Sequence, residues 1–104
     1  MSITNEVYGR TFGVNNVKRI GNVCYFHVFF NRANINIPTG KIITFPVKAD
    51  GRADFYGYAA DEGSANYGIR FLYMLDNSNE LTLADVAVGS GYFLAVSGSF
   101  VCKD

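Results

Sequence analysis

The chain has 104 residues, and nine Lys and Arg balance nine Asp and Glu, so its formal net charge is zero. That balance argues against a nucleic-acid binder, which carries a basic stripe, and against a polybasic membrane-surface protein. With 49% hydrophobic and 17% charged residues disorder is excluded, and the length sets one domain, residues 1–104.

Val, Ile, Thr, Tyr and Phe account for 38 residues, against 14 for Leu, Lys, Glu and Met, with no Gln. Branched and aromatic side chains suit pleated strands, and 11 Gly with 10 Asn supply turns, so the class is all-β. The first residues show neither the basic nor the apolar region of a secretory signal, and no apolar stretch approaches the roughly 20 residues of a helical membrane span.

In chain order, Glu6 to Phe12 reads as a weak strand or extended arm, interrupted by Gly13 and Asn15-Asn16, with 1–16 as an arm or stalk junction. Val17–Ile20 is a short strand, and Gly21-Asn22 turns into the longest one, Val23–Phe30. A polar loop, Asn31 to Asn36, and the turn Pro38-Thr39-Gly40 precede a strand over Lys41–Phe45, which Pro46 ends because it cannot donate to a ladder. Asp50-Gly51 is a tight-turn dipeptide ahead of Ala53–Ala60. After a loop at Asp61–Asn66, Tyr67–Leu75 alternates Ile69, Phe71 and Tyr73 with Arg70, Leu72 and Met74. Asp76 to Asn79 turns into Glu80–Ala84, and Gly89-Ser90-Gly91 into the last strand, Tyr92–Val101. Ala84–Val88 has room for one helical turn. Seven to eight short strands with regular Gly/Asn punctuation predict an antiparallel β-sandwich or jelly-roll-like barrel.

The strand Val23–Phe30 is apolar on both faces, Cys24, Phe26, Val28 and Phe30 on one and Val23, Tyr25, His27 and Phe29 on the other. A strand in a two-layer domain normally keeps one polar face. Either the strand lies between two layers or its second face is covered by another subunit; the expectation favoured for a domain of this size is a subunit interface at Val23, Tyr25, His27 and Phe29.

No residue pattern points to catalysis. The one His, His27, lies three positions from Cys24, so the two side chains face opposite sides of the strand. Cys24 and Cys102 have no metal-ligand spacing; they read as two buried thiols, with a disulfide left open if their strands are neighbours. Asp61 and Glu62 read as solvated loop acids, and Asp76 to Glu80, although oxygen-rich, as a hairpin turn without the spacing of a calcium loop. No cofactor and no metal are expected. Carbohydrate binding needs flat aromatic faces and planar polar groups. Arg52, Asp54, Tyr56, Tyr58, Asp61, Asn66 and Tyr67 offer both around one pair of loops.

Gly21-Asn22-Val23, Pro38-Thr39-Gly40, the strand ending at Pro46 before Asp50-Gly51, Glu80-Leu81-Thr82-Leu83 and the closing Gly98-Ser99-Phe100-Val101 form a strand-and-turn grammar. It resembles the C-terminal receptor-binding head domains of phage tail fibre and baseplate proteins, from about Val17 onward. Pro38-Thr39-Gly40 lacks the Tyr and second Pro that usually follow in that family. The resemblance implies a non-enzymatic homotrimer on the virion, at the tail tip or baseplate, assembled in the bacterial host cytoplasm. Its partners would be other tail or baseplate proteins and a host cell-surface saccharide, with no nucleic acid and no membrane insertion. The chain would be an excised head or a short stand-alone protein. A second reading is a structural decoration or assembly subunit of a capsid or tail that binds no glycan; a third, a small hydrolase using Asp54 or Asp61.

Overall fold

The computed structural model describes residues 1–61 and 67–103, with Tyr67 in its backbone alone. It holds eight strands: β1 (Thr4–Asn5), β2 (Phe12–Ile20), β3 (Val23–Phe30), β4 (Gly40–Thr44), β5 (Ala53–Ala60), β6 (Tyr67–Met74), β7 (Glu80–Leu83) and β8 (Phe93–Val101). All pair antiparallel in one sheet of order β1-β4-β7-β6-β5-β8-β3-β2, curled into a nearly closed barrel. The all-β expectation holds, and the architecture is the barrel rather than two separate sheets.

Closure comes from the chain itself. β1 and β2 lie on opposite edges of the sheet yet follow one another in sequence. Residues 6–11 cross between those edges. Glu6 still donates its backbone N–H to Ile42 beyond β1, while Thr11 already accepts from Asn31 beyond β3.

Alternation sorts the side chains. Cys24, Phe26, Val28 and Phe30 of β3 point into the barrel with Phe55, Leu72, Met74, Leu94, Val96 and Phe100, all buried. At the centre the Phe26 ring meets Phe45 and Phe55 edge-on at 5.2 and 5.1 Å, and Phe45 meets Phe100 at 5.1 Å. These rings need room. Gly98 supplies it, because a Cβ there would lie 2.6 Å from Phe55 Cδ1.

Two expectations are corrected. Gly13 and Asn15-Asn16 do not interrupt the N-terminal region, since β2 runs unbroken from Phe12 to Ile20. Its ladder to β3 absorbs Gly13 as a shift in register between Phe12 and Val14. The weak strand from Glu6 to Phe12 and the short strand at Val17–Ile20 are replaced by β1, a crossing turn and this long β2. No helix occurs among the described residues, so Ala84–Val88 is not a helical turn. Ala84 donates to Phe71, and Val88 pairs with Ile37 in both directions, which fixes both ends of the segment outside any helix.

The cysteine question is answered in favour of thiols. Cys24 lies on β3 and Cys102 just past the end of the neighbouring β8, and both are free and buried. Burial, with Cys102 beside it, pushes the Cys24 thiol up to about 11. The side chains of the oxygen-rich turn are likewise engaged with backbone groups, its own and those of neighbouring segments. Asp76 Oδ1 accepts from Gly51 N at 2.9 Å, Ser78 Oγ from Glu80 N at 3.0 Å, and Asn79 Nδ2 donates to Phe45 O at 3.1 Å. Asn77, at φ 64°, takes the left-handed position that this tight turn demands.

Candidate functional site

The outward face of the sheet is where the apolar residues left over from the core collect. One register row crosses five strands: Ile69 on β6, Tyr58 on β5, Ala95 on β8, Phe29 on β3 and Val14 on β2. Ile69 is 58% exposed, while Tyr58 and Val14 are each 39% exposed. Phe29 stacks on Phe93 with ring centroids 5.0 Å apart, Tyr58 meets the same ring at 5.8 Å, and the Arg32 guanidinium lies 5.1 Å above it. Tyr58 and, at 65% exposure, Tyr56 are therefore surface residues.

All four residues expected at an interface, Val23, Tyr25, His27 and Phe29, lie on this outward face. The strip is not uniformly apolar. Toward the other end of β3, His27 pairs with Asn16 and Ser97, and Tyr25 with Lys18 and Ser99. An open groove of about 730 Å³ runs there over β2, β3 and β8.

A separate cleft of about 450 Å³ lies on β5 and β6 beside the segment after β7, within the roughly 300–1,000 Å³ range of small-molecule sites. Its shape follows from side-chain size. Tyr73 and Phe71 project outward on β6 beside Asp54 and Tyr56 of β5. On their other side stand only Thr82 and Ala84, too small to fill the space. Tyr56 and Phe71 meet at 5.1 Å with their planes 58° apart, a tilted pair of exposed rings.

Arg52 closes one end. It holds Asp54 through Nε and Nη2, each 3.0 Å from Oδ1, and its guanidinium covers the Tyr73 ring at 4.9 Å. Asp54 raises the arginine's pKa through the hydrogen bond first and its charge second. Asp85 lines the opposite side and, among the described residues, has no ion-pair partner.

The structure thus brings together Arg52, Asp54 and Tyr56 of the expected binding set. Tyr58 lies on the same face but joins Phe93 instead. Asp61 sits beyond the end of β5, where its carbonyl accepts from Arg32 Nη2 at 3.1 Å. Asp54 thus lines the cleft near the start of β5 while Asp61 follows its end, and the two do not share one site. Asn66 and the Tyr67 side chain fall outside the described residues.

Sequence reasoning missed Phe71, Tyr73 and Asp85 as members of the cleft. The alternation of β6 already placed Phe71 and Tyr73 on one face, but only the pairing with β5 identifies that face as outward.

A second unanticipated residue is Arg10, 5% exposed. Its side chain reaches four backbone carbonyls: Asn31 through Nη1 at 2.7 Å, Ile35 through Nη2 at 2.6 Å and Nε at 3.1 Å, Gly89 through Nη2 at 3.1 Å, and Tyr92 through Nη1. Burial lowers its pKa, yet a guanidinium keeps its proton in proteins. All five N–H donors are engaged, so this is an architectural pin rather than a ligand-facing group.

No family model, curated protein or solved structure matches the chain.

Proposed function

We propose that this protein is a non-catalytic binding head, of the kind found on phage tail fibres and baseplates, that attaches a virion to a host cell-surface saccharide. It assembles as a homotrimer through the outward face of β3, at Val23, Tyr25, His27 and Phe29. Its location is then the tail tip or baseplate, next to other tail proteins.

The observation that carries this reading is that the barrel core is complete without the outward aromatics. Phe26, Phe45, Phe55 and Phe100 fill the interior, while Tyr56 at 65% and Phe71 at 51% remain exposed beside Tyr58, Phe93 and Phe29. Contiguous exposed apolar surface of that kind marks a binding site. The strand-and-turn grammar from Val17 onward supports the family, and the all-β barrel suits it. Three weak sites on one rigid trimer gain strength by avidity.

Light scattering behind a sizing column tests the assembly, and adsorption to bacterial cells with and without polysaccharide competitor tests the binding. The expected mass is three times 11.4 kDa, with adsorption abolished by competitor. A monomer that ignores glycans would overturn the reading, and so would turnover of the polysaccharide. An oligomer that binds no glycan would favour the alternative of a decoration or assembly subunit, which the Phe29, Phe93 and Tyr58 cluster alone would serve.

A further inference from the structure

We infer that the cleft bounded by Arg52 and Asp85 receives an uncharged sugar ring and discriminates against carboxylated sugars. The inference rests on the saccharide-binding reading and adds a ligand class to it.

The aromatic geometry comes first. Tyr73 is covered on one face by Arg52. The rings left to receive a ligand are Tyr56 and Phe71, tilted 58° to one another. A pyranose presents a face of C–H groups that packs on such rings without needing a charge. Two exposed rings tilted to one another offer more than one apolar surface to the sugar, which restricts its orientation where a single flat platform would let it rotate.

Charge then selects among sugars. Among the described residues the only cation lining the cleft is Arg52, and its fork is already committed to Asp54 through three contacts of 3.0 to 3.4 Å. Asp85 adds a second carboxylate without a described counter-ion. One cation therefore faces two carboxylates, and the cleft has a formal charge of −1. Sites that recognise a sugar carboxylate present an uncommitted Arg, because bidentate pairing offsets the loss of hydration. Here an incoming carboxylate would have to displace Asp54 and approach Asp85. Hydroxyl groups meet the opposite situation. Asp54 and Asp85 are strong acceptors, and a carboxylate can accept from two neighbouring hydroxyls at once. The cleft thus offers apolar walls for one side of a sugar and acceptors for its hydroxyl edge.

Saturation-transfer NMR on the intact chain tests this, with methyl glucoside, methyl galactoside and methyl N-acetylglucosaminide as neutral probes and methyl glucuronide as the carboxylated one. At least one neutral glycoside is expected to bind, with its signal lost in Tyr56→Ala and in Phe71→Ala. Glucuronide is expected to bind weaker by about threefold or more at low salt, as one repulsive charge at a solvated site predicts. The gap should narrow in Asp85→Asn. Because Tyr56, Phe71 and Asp85 are exposed, these variants should keep the parent's fold, which circular dichroism checks.

Glucuronide bound as tightly as the neutral probes, with dependence on Tyr56, would overturn the charge selection while leaving saccharide binding intact. Binding that survives both aromatic substitutions would place the sugar elsewhere and overturn the cleft assignment alone. If no glycoside binds and the cells are not adsorbed either, the saccharide reading itself falls, and this inference with it.

Discussion

Arg10 holds the Ile35 carbonyl in a two-pronged grip, with Nη2 at 2.6 Å and Nε at 3.1 Å, and it spends the rest of its guanidinium on the carbonyls of Asn31, Gly89 and Tyr92. The loop after β3 and the loop before β8 are thereby tied to the segment that crosses between the two sheet edges. Loop carbonyls drawn away from water need partners, and here one side chain serves four of them through part-buried hydrogen bonds. Arg10→Met keeps much of the volume and leaves those carbonyls unpaired, so stability should fall by about 3 kcal/mol in urea unfolding. Arg10→Lys should rescue little, because three donors on one nitrogen cannot reproduce a planar fork reaching four acceptors. Full stability in Arg10→Lys would contradict this account.

Gly98 and Phe55 share one volume. A methyl at Gly98 would lie 2.6 and 2.9 Å from two atoms of the Phe55 ring. Gly98→Ala should therefore destabilise by about 1–3 kcal/mol through overpacking. Adding Phe55→Leu removes the ring and should cost less in the Gly98→Ala background than in the parent. Strict additivity in that double-mutant cycle would mean that the two positions do not compete.

Stability should narrow at both ends of the pH range, for different groups. The Asp76 carboxyl is held below its ordinary value near 3.8, chiefly by the Gly51 N–H and then by Lys103. The unfolded chain binds that proton first, so this contribution is present above about pH 4 and is lost on further acidification. Cys24 behaves oppositely. Its thiol goes from an ordinary value of 9.0 to about 11 on folding, through burial first and Cys102 second. The folded state retains the proton that the unfolded state releases, so stability declines as pH rises from about 9 to about 11. Thermal melts across pH 7 to 11 should show a shallower alkaline decline in Cys24→Ala than in the parent, and an unchanged slope would remove Cys24 from the explanation.

The outward face of β3 can be tested without disturbing the core. Tyr25 is 44% exposed and lies on the face opposite Phe26. Tyr25→Asp should leave monomer stability within about 1 kcal/mol, since the carboxylate remains in water. Phe29→Asp should cost somewhat more, because it also breaks the 5.0 Å stack on Phe93. Both variants should elute at the mass of one chain if the trimer uses this face. Retention of the parent's mass by both would put the contact elsewhere.

What the sequence determined by itself is the class and most of the strands. Branched and aromatic residues, alternating between turn dipeptides, located Val23–Phe30 and Ala53–Ala60 to the residue, because strand periodicity and Gly/Asn/Asp turn chemistry are local properties. It also revealed that β3 carries more apolar surface than one core can use. Tertiary structure decided everything that depends on which strand lies beside which. Gly13 and Asn15-Asn16 look like breakers in isolation, yet the ladder to β3 carries β2 through them. Arg10 resembles any surface arginine until two distant loops bring four carbonyls to it. Phe71 and Tyr73 become walls of a cleft only because β5 sets Tyr56 and Asp54 on one side and β7 leaves small residues on the other. Periodicity reveals that a strand has two faces; only pairing and closure of the barrel assign one of them to the core and the other to water.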